Sequence, residues 1–119
     1  MPIIDVEVVM KPNEGLREGL AAEIADAAGE IFGSEPGGTW VKLRALPREQ
    51  YAENEGDPPE GVWPVFVNVL KGELPEGDQM REEAGKLAAE IGRICSRPKE
   101  NVHILYLPAG TGRIFFGGI

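Results

Sequence analysis

The pentapeptide LAAEI occurs twice, at residues 20–24 and again at 87–91, in a chain of 119 residues. Each copy lies in an apolar pattern of helical period. Around the first, Leu16, Leu20, Ile24, Ala27 and Ile31 recur every three or four residues. Around the second, Met80, Ala84, Leu87, Ile91 and Ile94 do the same. Asn13 is the candidate cap of the first helix and Gly33 its stop. Asp78 is the candidate cap of the second, and Pro98 forbids helix beyond it.

Working outward, strand-like runs flank both helices. IIDVEVVM at 3–10 precedes the first and TWVKLRAL at 39–46 follows it. VFVNVLK at 65–71 precedes the second and NVHILYL at 101–107 follows it. Pro2 and Pro64 open the incoming strands, and Leu46-Pro47 and Leu107-Pro108 close the outgoing ones. A proline has no N–H for a ladder, so these are the places where a sheet tolerates it. The pattern predicts two consecutive βαβ units, an α+β fold with one four-stranded mixed sheet and both helices on one face. The expected organisation is a single domain over 1–119. Its pseudo-repeats are 2–47 and 64–108, joined by a polar, Gly/Pro-rich linker at 48–63 and closed by a segment at 109–119.

The sheet's second face is more telling. On the first strand Ile4, Val6 and Val8 alternate with Asp5 and Glu7. On the second, Val41, Leu43 and Ala45 alternate with Trp40, Lys42 and Arg44. The third and fourth strands are apolar on both faces, which implies that both are covered. With no further elements in the sequence, the cover is expected to come from other copies of the chain.

Charge and cysteine content narrow the function classes. Twenty acidic against 12 basic residues give a formal charge of −8, which argues against nucleic acid and against an anionic membrane surface as partners. The single cysteine, Cys95, cannot form an internal disulfide and reads as core. No signal-peptide pattern and no apolar run near the ~20 residues of a membrane helix is present. The expected compartment is the cytoplasm.

Pro2 opening the first strand, the two βαβ units, and the closing GRIFFGG at 112–118 together resemble the tautomerase superfamily. WVKLRALPREQYA at 40–52 and PKENVHILYL at 98–107 are similar in pattern to the macrophage migration inhibitory factor branch. VFVNVLKGELPEGDQMREEAGKL at 65–87 is similar to the 5-carboxymethyl-2-hydroxymuconate isomerase branch. The 4-oxalocrotonate tautomerases end a single unit with a similar Gly-Gly segment. The resemblance covers nearly the whole chain. It implies a homotrimer whose sheets form a barrel, with active sites between subunits. It also implies a cofactor-free tautomerase or isomerase acting on a small 2-keto or 2-hydroxy-dienoic acid.

Such a reaction moves a proton between an enol oxygen and a carbon. Removal of Met1 would leave Pro2 with a free secondary amine. An α-amino group titrates near about 7.7–8.0, and an apolar pocket lowers that value toward neutrality, where a general base works best. The catalytic candidate is therefore Pro2. Candidates to bind the substrate carboxylate or carbonyl are Lys42, Arg44, Lys71 and Arg113, with Tyr51 and His103 as further pocket residues. Lys42 and Arg44 have an equally ordinary reading as cross-strand partners of Asp5 and Glu7. His103 has no Cys or His partner at metal spacing, so no metal is expected.

The pattern also departs from its relatives. The 4-oxalocrotonate tautomerase arginine after the first strand falls near Pro12. The isomerase's second binding arginine falls at Glu76. The tyrosine and asparagine of the migration inhibitory factor's last long strand fall at His103 and Leu105. Two alternatives follow. One is a hydratase or dehalogenase in which an acid such as Glu49 or Glu53 activates water. The other is a trimeric binding protein without chemistry.

Overall fold

The computed structural model describes residues 1–56 and 58–119. Strand β1 runs Ile3–Val9, helix α1 Leu20–Phe32 and β2 Trp40–Leu46. After a single 3₁₀ turn at Arg48–Gln50 come β3 (Val65–Leu70), α2 (Gly77–Cys95) and β4 (Val102–Tyr106). One sheet carries all four strands in the order β2-β1-β3-β4. β1 pairs parallel with β2 and β3 parallel with β4, while β1 and β3 meet antiparallel. The two βαβ units therefore join back to back at the centre of a mixed sheet.

Register explains why the core forms on one face. Ile4 lies between Val41 and Val69, and Val6 between Leu43 and Val67. Val8 lies between Ala45 and Val65. These side chains share a pleat face, and Ile4, Val6, Val65, Val67 and Val69 are all 0% exposed. Leu20, Ile24 and Ala28 of α1 and Leu87, Ile91 and Ile94 of α2 close over them. Each such side chain contributes roughly 1.5–3 kcal/mol by leaving water.

Among the described residues no helix lies on the opposite face. There Asp5 lies between Lys42 and Asn68, and Glu7 between Arg44 and Phe66. Trp40 is 43% exposed and Leu105 58% exposed on it. The apolar second face expected of β3 and β4 is thus open in the isolated chain.

Two helix starts differ from expectation. Asn13 caps nothing; it sits at φ 61°, and α1 begins only after Gly19, at φ 84°. In the loop between, the Glu14 carboxylate is paired with Arg97. Leu16 packs against the core from that loop rather than from a helix. Helix α2 starts at Gly77, with Glu76 rather than Asp78 in the cap position. Asp78 lies in the first turn, where a negative charge faces the positive end of the helix dipole.

The helix ends are alike. Gly33 at φ 66° closes α1, with its N–H bonded to Glu30 O and that of Ser34 to Gly29 O. Ser96 at φ 59° closes α2 in the same way, with the Arg97 N–H bonded to Gly92 O at 2.8 Å. Gly92 is required there, since a Cβ would meet Arg97 O at 2.7 Å.

Candidate active site

Pro2 sits where β1 begins. Its carbonyl accepts from Trp40 N at 3.0 Å, which fixes it at the first rung of the β1–β2 ladder. Met1 precedes it and is 51% exposed, so in this structure the Pro2 nitrogen is a peptide nitrogen. Ile3 pairs with Leu70, so the antiparallel β3 delivers Lys71 to the same end of the sheet. A cleft of ≈ 330 Å³ there is lined by Met1, Pro2, Phe32, Ser34, Glu35 and Lys71 among others. The structure thus brings together the expected base and one expected cation.

Lys71 is not a free cation. Its ammonium donates to Glu83 Oε2 at 3.0 Å and Oε1 at 3.2 Å, and lies 4.9 Å from the centroid of the Phe32 ring. An ammonium has three N–H donors. Two carboxylate oxygens take two of them, and the Phe32 ring lies beside the ammonium. Glu83 also accepts from the Tyr106 hydroxyl at 2.7 Å. Burial first, and then the bond and charge of Glu83, raise the Tyr106 phenol well above its ordinary value. Tyr106 therefore remains a donor at any working pH.

Glu83 and Tyr106 were not among the sequence candidates, yet both carried a signal. Tyr106 falls in the helix-facing register of β4 with Val102 and Ile104, where a hydroxyl demands a partner. Glu83 lies three residues after Met80 and four before Leu87, on the apolar side of α2.

The other candidates lie elsewhere in the protomer. Lys42 is 3.1 Å from Asp5, and Arg44 is 3.5 Å from Asp5 and 3.6 Å from Glu7. Their cross-strand reading is the one the geometry displays, on the open sheet face. Tyr51 follows β2, so it stands at the end of the sheet opposite Pro2. Its ring centroid is 5.8 Å from that of Phe66, and Phe66 is 5.6 Å from His103. The Tyr51 hydroxyl donates to Glu53 at 2.7 Å, and that bond, with partial burial, raises the phenol.

Arg113 is exposed, and its Nε donates to Ala109 O at 3.2 Å. Its segment is clamped to the Lys71 end of β3 by Gly110 N to Lys71 O at 2.8 Å and Thr111 N to Gly72 O at 3.1 Å. Within one protomer, then, Pro2, Lys71 and Arg113 occupy one end of the sheet and Tyr51 and His103 the other.

A third residue missed in the sequence is Arg97, which is 5% exposed. It grips Glu14 through both carboxylate oxygens, at 2.7 and 3.0 Å. That hydrogen bond, against some burial, holds the Glu14 carboxyl below its ordinary value. Arg97 stands at the far end of β1 from Pro2 and serves the fold. Cys95 beside it is buried, and burial raises its thiol, which makes it a poor nucleophile.

A hollow of ≈ 680 Å³ is an open groove between α1 and α2, and none of the candidate residues lines it. Among the described residues no group of three or more His, Cys, Asp or Glu could hold a metal ion. Nor is any helix long and apolar enough to cross a membrane.

No family model and no curated protein matches the chain by sequence. Solved structures match it closely in shape. The macrophage migration inhibitory factor from Trichinella spiralis is 13% identical, over 98% of this chain and 96% of that one, with a TM-score of 0.71. A malonate semialdehyde decarboxylase inhibited by 3-bromopropiolate is 15% identical over 98% and 91%, with a TM-score of 0.69. A fused 4-OT described as a wild-type asymmetric trimer is 13% identical over 88% and 84%, with a TM-score of 0.66. At such identities the likeness is one of fold, and it spans almost the whole of each partner. These neighbours, together with the β2-β1-β3-β4 sheet and its two helices, show that the chain has the tautomerase-superfamily fold.

Proposed function

We propose that this protein is a cofactor-free tautomerase that interconverts the enol and keto forms of a small 2-keto or 2-hydroxy-dienoic acid. Pro2 is its general base once Met1 is removed. The observation that carries this reading is the cleft shared by Pro2 and Lys71 at the start of β1. Met1 is half exposed and forms part of the cleft wall. Its removal both frees the amine and enlarges the cleft. The pyrrolidine ring then presents a nitrogen with little freedom of motion, held by the Pro2–Trp40 backbone bond. Near neutral pH such an amine takes a proton from the enol oxygen and returns one to carbon. Lys71 is the cation that lines the cleft, and the segment that carries Arg113 is bonded to the same end of β3.

The active assembly in this reading is a homotrimer in the cytoplasm. The exposed Trp40, Leu105, Phe115 and Phe116 support the assembly, because a neighbour's sheet would cover them. Covering that face would also bring the Tyr51–His103 end of one copy near the Pro2 end of another. A binding protein without chemistry is the competing reading, supported by the carboxylate pairing of Lys42, Arg44 and Lys71.

The test has two steps. Intact mass of untagged protein is expected to be short by one methionine. Ketonisation of a 2-hydroxy-dienoate is then expected to fall by roughly 10²–10⁴ in Pro2→Ala, the usual worth of a positioned base. Retention of Met1, or an equally active Pro2→Ala, would sink the proposal.

A further inference from the structure

The groove between α1 and α2 has no part in the catalytic reading. Its floor is apolar and mostly small: Ala27 and Ile31 of α1, Ala89 and Ile94 of α2. Ala89 is exposed, whereas Ile24, Ala28, Leu87 and Ile91 on the same helices turn into the core. The groove therefore opens away from the sheet, and an assembly built through the open sheet face leaves it free. A second hollow of ≈ 230 Å³ shares Ile31 and Lys86 with it and carries it on to Gln79. Together the two follow α2 from Gln79 to Ile94, about 22 Å at the rise of an α-helix.

Its charges are unevenly matched. Six carboxylates line the two hollows against two cations, Lys86 and Arg93. Both cations are taken by their own helix, Lys86 by Glu82 at 3.7 Å and Arg93 by Glu90 at 2.7 Å. Glu23 meets Arg17 and Glu83 meets Lys71. Asp26 and Glu30, about one turn apart on the α1 wall, have no cation within ion-pair distance among the described residues. The groove thus lacks positive charge along one wall, above an apolar floor.

We propose that this groove is a docking surface for a cationic amphipathic helix of another protein. Two helices side by side present a trough into which a third packs with axes about 8–10 Å apart, and small floor residues permit that approach. The partner's apolar stripe would cover Ala27, Ile31 and Ala89, and its Lys or Arg residues would meet Asp26 and Glu30. A second copy of this chain, itself at −8, is a poor occupant because like charges oppose the encounter.

Fluorescence anisotropy of a labelled, amidated peptide tests this. The probe is two repeats of KLAKLAK, about 21 Å long as a helix and cationic along one face. The wild-type chain is expected to bind it one to one, at least about tenfold more tightly than a scrambled peptide of equal charge without the apolar stripe. Ala89→Arg, at an exposed floor position, sets a cation against the peptide and is expected to weaken binding about tenfold. Asp26→Asn with Glu30→Gln is expected to weaken it roughly threefold to tenfold, the worth of two exposed ion pairs. Glu55→Gln with Glu60→Gln removes the same charge from the linker, outside the groove, and is expected to leave affinity within about twofold. Equal binding of the scrambled peptide, or no binding of either, overturns the proposal. Undiminished binding by folded Ala89→Arg, or an equal loss in the linker variant, overturns it as well, since attraction is then to net charge alone. Sedimentation of Ala89→Arg closes the remaining route. An assembly unchanged from the wild type is expected, and one that falls apart would show that a second copy fills the groove and overturn the proposal.

Discussion

Arg97 and Lys71 each grip a glutamate, at opposite ends of β1, and the two pairs are built differently. Arg97 has five N–H donors and five acceptors: two oxygens of Glu14 and the carbonyls of Val9, Trp63 and Cys95. Its side chain is 1% exposed. Nothing remains for a ligand, and three separate stretches of chain are tied through one guanidinium. Among the described residues Lys71 has a carboxylate and an aromatic face and no backbone partner for its ammonium. Its side chain is 17% exposed and borders a cleft. The same pairing chemistry therefore does two jobs. Where backbone carbonyls complete the shell, the pair is a staple. Where a cleft replaces them, the pair borders open space.

Removing one partner from each pair breaks this comparison if it is wrong. Arg97→Met leaves the Glu14 carboxylate and three carbonyls without their donor. Loss of a buried pair's partner costs about 3–5 kcal/mol, which lowers the melting temperature by roughly 10–20 °C for a chain of this size. Glu83→Gln keeps a side chain that still accepts from Tyr106 and Lys71, and its cost is expected near ~1 kcal/mol. Thermal melts of the two variants side by side are the check. Equal losses would mean that the cleft pair is also a staple.

Acid sharpens the same contrast. The folded chain holds Glu14 ionised below its ordinary carboxylate value. A depressed folded value adds stability that is complete above the unfolded value, near about 4.3, and is lost as pH falls through the folded one. Denaturant midpoints are expected to fall below that pH in the wild type. In Arg97→Met this part of the acid dependence is expected to shrink, since only the Lys11 N–H and charge then favour ionised Glu14.

How much of this could be read in the sequence follows from where the forces lie. All four strands fall within a residue or so of the apolar runs that predict them, because β-branched alternation and closing prolines are local signals. Gly33 ends α1 as expected, again for a local reason. The start of α1 was not legible. The loop before Leu20 carries Glu14, whose partner Arg97 lies 83 residues away. Arg97 itself has no periodicity to mark it, lying between Ser96 and Pro98 in a turn. At the candidate site, Pro2 and Lys71 were visible through strand ends and family pattern. Glu83 and Tyr106 were visible only as polar residues on apolar faces, and their meeting needed the fold. The Lys42 and Arg44 pairing was legible from alternation alone, because register follows once β1 and β2 are parallel.

The weakest pairs complete the comparison. Asp5 meets Lys42 and Arg44 on the open face, where the cations are 63% and 54% exposed. Water solvates these charges whether or not they pair, so Asp5→Asn is expected to cost about 0.2–1 kcal/mol in dilute protein. Assembly would change that. A neighbouring sheet laid on this face excludes water from Lys42 and Arg44, and an uncompensated cation there becomes expensive. The deficit of Asp5→Asn should therefore grow with protein concentration, and the wild-type melting temperature should rise with it. A deficit that stays constant across a hundredfold range of concentration would show that this face stays wet, and would remove the open sheet as the assembly surface.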